Sequence, residues 1–288
     1  MASKRVLSSK NKLEQMALLI RLGIVRAITS NNGGHIGGSL DLADMLSVVY
    51  ADFMRIDPKN HNLPTRDFMI FSKGHAGPAL YSTLALIGFF PSDRLDNLNK
   101  TNSLLPGHCD RIKVPGVDAT TGSLGQGLSI ACGVALGAKI ADSDQRIFCV
   151  IGDGESAEGQ IWEASQFAAH HKLDNLIAFL DWNKMQIDGT TDEVVSLGDP
   201  ILKYQAFGWN TCCIKGTDVL GIQSAVKKAI ETPNGKPSMI ILDTVKGQGL
   251  NCIMEMKNNH CVAFPEEIQK KAMSELKEQA KILGLEMD

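Results

Sequence analysis

Five short apolar runs punctuate the chain: DFMIF at 67–71, IFCVI at 147–151, LIAFLD at 176–181, WNTCCI at 209–214 and SMIILDTV at 238–245. Each is rich in β-branched and aromatic residues. Between most of them lie stretches at 78–88, 124–141, 158–171 and 219–231 whose apolar residues recur every three or four positions. The strand-like runs are apolar throughout rather than alternating, so both of their faces must be covered. That pattern predicts an α/β fold, a parallel sheet with helices on both faces. An amphipathic helix over 11–29, carrying Leu13, Met16, Ile20, Ile24 and Ile28, precedes the first strand, and a charged helix over 265–284 starts with Pro265 in its first turn. No repeat or linker divides residues 1–288, so a single domain is expected.

Composition narrows the function. Net charge is −3 and the basic residues are scattered, which argues against a nucleic-acid groove. No stretch approaches the roughly 20 apolar residues of a membrane span. The start, MASKRVLSSKNKLEQ, is basic but lacks the apolar core of a secretory signal. The seven cysteines are odd in number and form no CxxC, which fits free thiols in a reducing cytoplasm. Cys252, His260 and Cys261 lack the fourth ligand and paired spacing of a zinc site. The segment 31–38, NNGGHIGG, reads as a glycine-rich turn; Ser39 offers an N-cap for a second helix carrying Leu42, Met45, Leu46 and Val49. The long Gly-, Pro- and Asn-rich stretch over 89–121 is expected to be functional.

The most informative segment is 151–189, IGDGESAEGQIWEASQFAAHHKLDNLIAFLDWNKMQIDG. A strand ends at Ile151, and Gly152-Asp153-Gly154 turns sharply at its carboxyl end, where ligands of open α/β sheets bind. Gly154 can offer its N–H to an anionic oxygen. Asp153 supplies a hard oxygen, and thirty positions later Asn183 supplies an amide oxygen. One βαβ crossover returns the chain to the neighbouring strand, so the two meet at one edge. A carboxylate, an amide oxygen and a backbone carbonyl make half an octahedron for Mg²⁺, with two diphosphate oxygens and a water to complete it. Alone, each residue reads better as a turn-former; together, at this spacing across a βαβ unit, they read as a metal site.

This segment resembles the thiamine-diphosphate signature, GDG followed about thirty residues later by asparagine, and its wording is similar to that of the transketolase family. Further segments match in order: GGHIGGS at 33–39, SKGHA at 72–76, PGH at 106–108 and TTGSLGQG at 120–127. The resemblance implies that Asp153, Asn183 and the carbonyl of Met185 hold Mg²⁺, or Ca²⁺ or Mn²⁺ in its place. It implies cofactor contacts from His75, Gly122, Ser123, Leu124, Gly152, Asp153, Gly154, Glu155, Asn183, Ile187, Lys246 and His260, with Ile187 against the thiazolium ring. His35 and His260 would pass protons at the donor sugar's oxygens, His75 would lie by the reaction centre, and His108 would bind the far end of the ketose. A lone histidine beside glycine is usually a turn or surface residue; here the arrangement occurs three times. His61, His170 and His171 match nothing. Glu158 would join a carboxylate network at a subunit interface, although a carboxylate near a helix N-terminus is also favoured by the helix dipole alone. The small residues along 124–141 fit either a tight interface or close packing on the sheet.

The resemblance has departures. Cys109-Asp110 follows the third histidine where the family commonly has Pro-Glu, and Trp182 stands where an acidic residue is frequent. Nothing here resembles the family's pyrimidine-binding domain, which carries the glutamate that activates the cofactor. The implied assembly is a split, cytoplasmic transketolase: this chain plus a C-terminal-type partner, as an α2β2 heterotetramer. It would move a two-carbon ketol unit from a ketose to an aldose, with phosphorylated sugars expected. Alternatives are the α-type chain of a 2-oxo acid decarboxylase or dehydrogenase, which should lack the GH and SKGHA turns, and a non-catalytic cofactor-binding subunit, which would have no need of the four histidines. A deoxyxylulose-phosphate synthase normally carries all its domains in one chain.

Overall fold

The computed structural model describes residues 6–61 and 63–286; the first five residues of the stretch read as lacking a signal core, and the chain end at 287–288, lie outside it. The expected alternation is present. Helix α1 (Lys10–Ser30) is followed by β1 (Phe68–Phe71), α2 (Gly77–Leu86), α3 (Gln126–Ile140), β2 (Ile147–Gly152), α4 (Gly159–His170), β3 (Leu176–Trp182), β4 (Asn210–Lys215), α5 (Val219–Glu231), β5 (Ser238–Asp243) and α6 (Glu266–Leu283). The strands form one sheet in the order β1-β2-β3-β5-β4, parallel at every pairing.

Alternation along each strand divides the core in two. Phe148, Val150, Ile177, Phe179, Ile240 and Leu242 pack with α1, α2, α5 and α6. Cys149, Ile151, Ala178, Leu180 and Ile241 pack with α3 and α4. Burying each large side chain contributes about 1.5–3 kcal/mol, which accounts for strands apolar on both faces. The edge strand β4 is less buried, and Cys213 on it is exposed. All seven cysteines are free thiols.

Three local expectations need correction. Ser39 is no N-cap: it is buried within a short helical turn, Gly37–Leu40, and its Oγ donates to the His35 carbonyl at 2.6 Å. The second helix is brief, Ala43–Val48, and widens into a π-turn over Val49–Phe53. Pro265 occupies the N-cap of α6 rather than its first turn. The small residues of α3 differ in their surroundings. A Cβ on Gly127 would lie 2.4 Å from the Ser72 Cα, so this end of the helix is pressed against the end of β1, whereas Gly133 and Gly137 face open space.

Four strand ends gather the chain's functional segments at one edge. Ser72–His75 follows β1, Asp153-Gly154 follows β2, Asp181 and Asn183 close β3, and Thr244–Gly247 follows β5. A two-residue strand, Gly33–Gly34, pairs antiparallel with Val262–Ala263. The pairing is so close that a Cβ on Gly33 would meet the Val262 carbonyl oxygen at 2.5 Å, and it carries His35 and His260 to the same edge.

Candidate active site

The carboxyl edge of the sheet encloses a cavity of about 320 Å³. Among its walls are His35, His75, His108, Asp153, Asn183 and Lys246, contributed by segments from across the whole sequence. A second cavity, of about 660 Å³, adjoins it and shares His35 and His108. Asp110, which follows the third histidine turn, and Asn31, Asn99 and Thr120 line this second space.

Asp153 and Asn183 come together as their spacing requires. Asp153 Oδ2 accepts from the Lys184 N–H at 2.5 Å, and Oδ1 from the Gly154 N–H at 2.7 Å. The Gly154 N–H does serve an anionic oxygen, but that of the adjacent Asp153 carboxylate. Burial, then the nearby Asp181, pushes the Asp153 carboxyl up to about 6. Asn183 Oδ1 accepts from the Met185 N–H at 3.0 Å. Met185 and Gln186 pair with Gly189 and Thr190 in a small hairpin over the cavity, and its tip carries Ile187, 62% exposed.

Beneath these residues lies a buried polar network that sequence reasoning missed. Lys73 Nζ lies 2.5 Å from Asp181 Oδ2 and donates to the Gly38 carbonyl at 2.9 Å. Thr244 Oγ1 donates to Asp181 Oδ1 at 2.6 Å. Asp41 Oδ1 receives the N–H groups of Gly247 at 2.7 Å and Gln248 at 3.1 Å. A visible signal existed: Lys73 and Asp181 are charges placed directly at the ends of apolar strand runs.

Glu155 lines the cavity but is buried, and both of its oxygens are engaged within the chain. Its Oε1 accepts from the Ser72 hydroxyl and, at 2.8 Å, from the Gly125 N–H; Oε2 accepts from the Gly152 N–H at 2.9 Å. It staples three turns together, and burial raises its pKa. Gly122 and Leu124 line the cavity, whereas Ser123 is exposed and is not among its walls. Glu158 also lies outside the cavity. It is exposed at the N-cap of α4, with no side-chain capping bond.

The four histidines form one cluster. The His35 ring lies 5.4 Å from His75, 5.5 Å from His108 and 5.2 Å from His260, and His75 lies 4.8 Å from His260 between centroids. Lys246 Nζ sits 3.2 Å from His260 Nδ1. Burial, then Lys73, drives His75 down to about 2; burial, then Lys246, drives His260 down to about 4. Burial also lowers His35 and Lys246. Neutral imidazoles in one wall can each accept and donate, which suits exchange of protons with hydroxyls and carbonyls. His61, His170 and His171 stand apart. His61 is exposed against the Phe89 ring, and the other two pack on each other at the end of α4. Trp182 does not face a metal position but lies under Lys184, whose Nζ is 4.5 Å from the ring centroid.

The donors present fit a divalent cation bearing a diphosphate. Asp153, Asn183 and the Met185 carbonyl are hard oxygens, and Asp153 is a buried carboxyl that has no ammonium in salt-bridge contact among the described residues. Gln186 Nε2 is a buried donor with no partner in the cavity wall, as an anion-binding position requires. A Cβ on Gly154 would lie 2.8 Å from the Gln186 Cβ, so that wall tolerates only glycine. Among the described residues no three His, Cys, Asp or Glu side chains form a metal-holding group. No described helix is long and apolar enough to cross a membrane.

Fold and site define an α/β cofactor-binding domain with its cleft at the strand carboxyl ends. The family described as "Transketolase, thiamine diphosphate binding domain" matches residues 13–283. The chain is 46% identical over 267 residues to the 6-deoxy-6-sulfo-D-fructose transketolase subunit SqwG of a Clostridium species, covering 93% of this chain and 97% of that one. It is 36% identical to one of the apulose-4-phosphate transketolase subunits of Phocaeicola vulgatus, covering 92% and 94%. The solved transketolase of Campylobacter jejuni superposes with a TM-score of 0.86 at 34% identity, over 97% of this chain but only 44% of that one. This chain belongs to the transketolase family and corresponds to its thiamine diphosphate binding domain.

Proposed function

We propose that this chain is the diphosphate- and metal-binding subunit of a two-chain transketolase, transferring a two-carbon ketol unit from a ketose to an aldose. The observation that carries the reading is the meeting of Asp153, Asn183 and the histidine cluster in one cavity. Coverage supports the two-chain form: the chain matches relatives named as subunits over nearly their whole length, and the solved transketolase over less than half. We take residues 1–288 as one domain that includes α6, with a partner bringing a pyrimidine-binding domain and two copies of each chain in the complex.

In this reading Asp153, Asn183 and the Met185 carbonyl hold Mg²⁺, and Gln186, His75 and Lys246 face the diphosphate. Gly122, Leu124 and the hairpin carrying Ile187 bound the space for the thiamine rings. The cofactor supplies a thiazolium that acts as the electron sink for cleavage of the ketose. His35 and His260 hold protons at the sugar's hydroxyl and carbonyl oxygens, because the two rings are adjacent, wall the same space and are held toward the neutral form. His108 lies between the two cavities and meets the sugar chain. Glu158, exposed at the end of α4, is left for contact with the partner. The relatives' substrates make 6-deoxy-6-sulfo-D-fructose and apulose 4-phosphate the first ketoses to test.

The test is turnover by the purified chain mixed with its partner, thiamine diphosphate and Mg²⁺, with these ketoses and an aldose acceptor. Ketol transfer that needs both chains supports the reading. Full turnover by this chain alone would refute the two-chain form.

A further inference from the structure

An asparagine side chain offers a donor at one end and an acceptor at the other, and only the oxygen can ligate a cation. The amide of Asn183 is not free to choose. Its Nδ2 donates to Asp41 Oδ2 at 3.0 Å and to Asp181 Oδ2 at 3.1 Å. Asp181 is ion-paired with Lys73 and only accepts, so a flipped amide would set its oxygen against the Asp181 carboxylate and lose the bond its NH₂ makes to Asp41. Each carboxylate is itself anchored: Asp41 by the Gly247 and Gln248 N–H groups, Asp181 by Lys73 and Thr244. Asn183 Oδ1 is thereby turned away from them, and it accepts one bond, from the Met185 N–H, with a lone pair to spare.

We propose that Asp41, together with Asp181, is a positioning residue that orients the Asn183 amide so that its oxygen faces the cation site. The inference rests on the cofactor reading above. Asp41 comes from the turn after the first histidine, 142 positions before Asn183, and is buried behind the cavity rather than among its walls. Its action is on the direction of one hydrogen bond. In Asp41→Asn, the new side chain keeps an oxygen on Gly247 and Gln248 and turns its NH₂ toward Asn183, donor against donor. In Asn183→Asp, a carboxylate faces two others, although a carboxylate is ordinarily the stronger cation ligand. Combining the two changes reverses the bond. The amide introduced at position 41 then donates to the carboxylate introduced at position 183, whose far oxygen stays aimed as before.

The experiment measures Mn²⁺ binding by electron paramagnetic resonance in the assembled enzyme with thiamine diphosphate, together with the thermal midpoint of each ligand-free variant. Loss of such an outer contact typically weakens metal binding about 10–100-fold. Asp41→Asn and Asn183→Asp are each expected to fall in that range, and the double variant to bind more tightly than Asn183→Asp alone, with Asp181 still facing the introduced carboxylate. A purely structural role for Asp41 would lower the thermal midpoint and would not be rescued by the second change. Binding by Asp41→Asn equal to wild type, with Asn183→Ala defective, would overturn the inference while leaving the cofactor reading intact. Failure of the double variant to bind more tightly than Asn183→Asp would also overturn it. Should Asp41→Asn not fold, Asn183→Asp decides alone: undiminished Mn²⁺ affinity there contradicts the proposal. Absence of Mn²⁺ binding in the wild type would remove the cofactor reading and the inference together.

Discussion

Lys246 Nζ lies 3.2 Å from His260 Nδ1, so the ammonium donates and the ring accepts at that nitrogen. The Nε2 proton of His260 is then fixed on the other side of the ring. Burial is the larger cause of the low His260 pKa, about 4, and Lys246 is the next. Lys246→Met should therefore raise the His260 pKa without returning it to the ordinary value of about 6.5. The ring-proton chemical shift titration of His260 checks this; an unchanged titration would mean that the lysine does not hold the ring.

Stability should depend on pH through His75 and His260. Both stay neutral in the folded chain down to about 2 and about 4, while the unfolded chain protonates them below about 6.5. Between those limits the unfolded state binds more protons, so their contribution is level above about pH 6.5 and falls as pH drops from there toward about 4. Asp41 and Glu155, raised by burial, act in the opposite direction. The readout is therefore a difference: thermal midpoints of wild type and His75→Asn from about pH 8 to about pH 5, spanning the ordinary histidine range. The gap should shift in favour of the variant as pH falls, and a constant gap would contradict the assignment.

Glu155→Ala should be among the most damaging single changes. It would strand the Ser72 hydroxyl and the Gly125 and Gly152 N–H groups. Each buried donor left alone costs about 1–3 kcal/mol, and partial relaxation leaves a total of roughly 3 kcal/mol or more. Denaturant titration gives the value. A change under about 1 kcal/mol would show that the three turns hold without the staple.

Ile187 should behave in the reverse manner. Its side chain is 62% exposed and faces the cavity, so Ile187→Ala should alter ligand-free stability by no more than about 0.5 kcal/mol. Removing an apolar contact of about 1–2 kcal/mol should still weaken thiamine diphosphate binding by roughly tenfold. Equal affinities in the two proteins would take Ile187 out of the cofactor's surroundings.

The layered fold was legible because the strands are apolar on both faces, a property of local sequence. Asp153 and Asn183 were legible for the same kind of reason, since a single βαβ crossover determines where the two ends meet. The network around Asp41 was not. It joins residues 142 and 206 positions apart through contacts that no local pattern encodes. Ser39 was misread because its hydroxyl has a closer partner, the His35 carbonyl, than any helix N-terminus. The place of Glu155 at the cavity edge was legible but its work as a staple was not, since its three donors come from three separate turns.

A cofactor site shared with a partner chain and built on Asp153 is tested most directly by calorimetry. Thiamine diphosphate with Mg²⁺ is titrated into the full chain alone, into the chain mixed with its partner, and into the same mixture carrying Asp153→Ala. Binding that appears or tightens sharply in the mixture and is lost in the variant is the predicted result. Tight binding by the chain alone, or none under any condition, would contradict it.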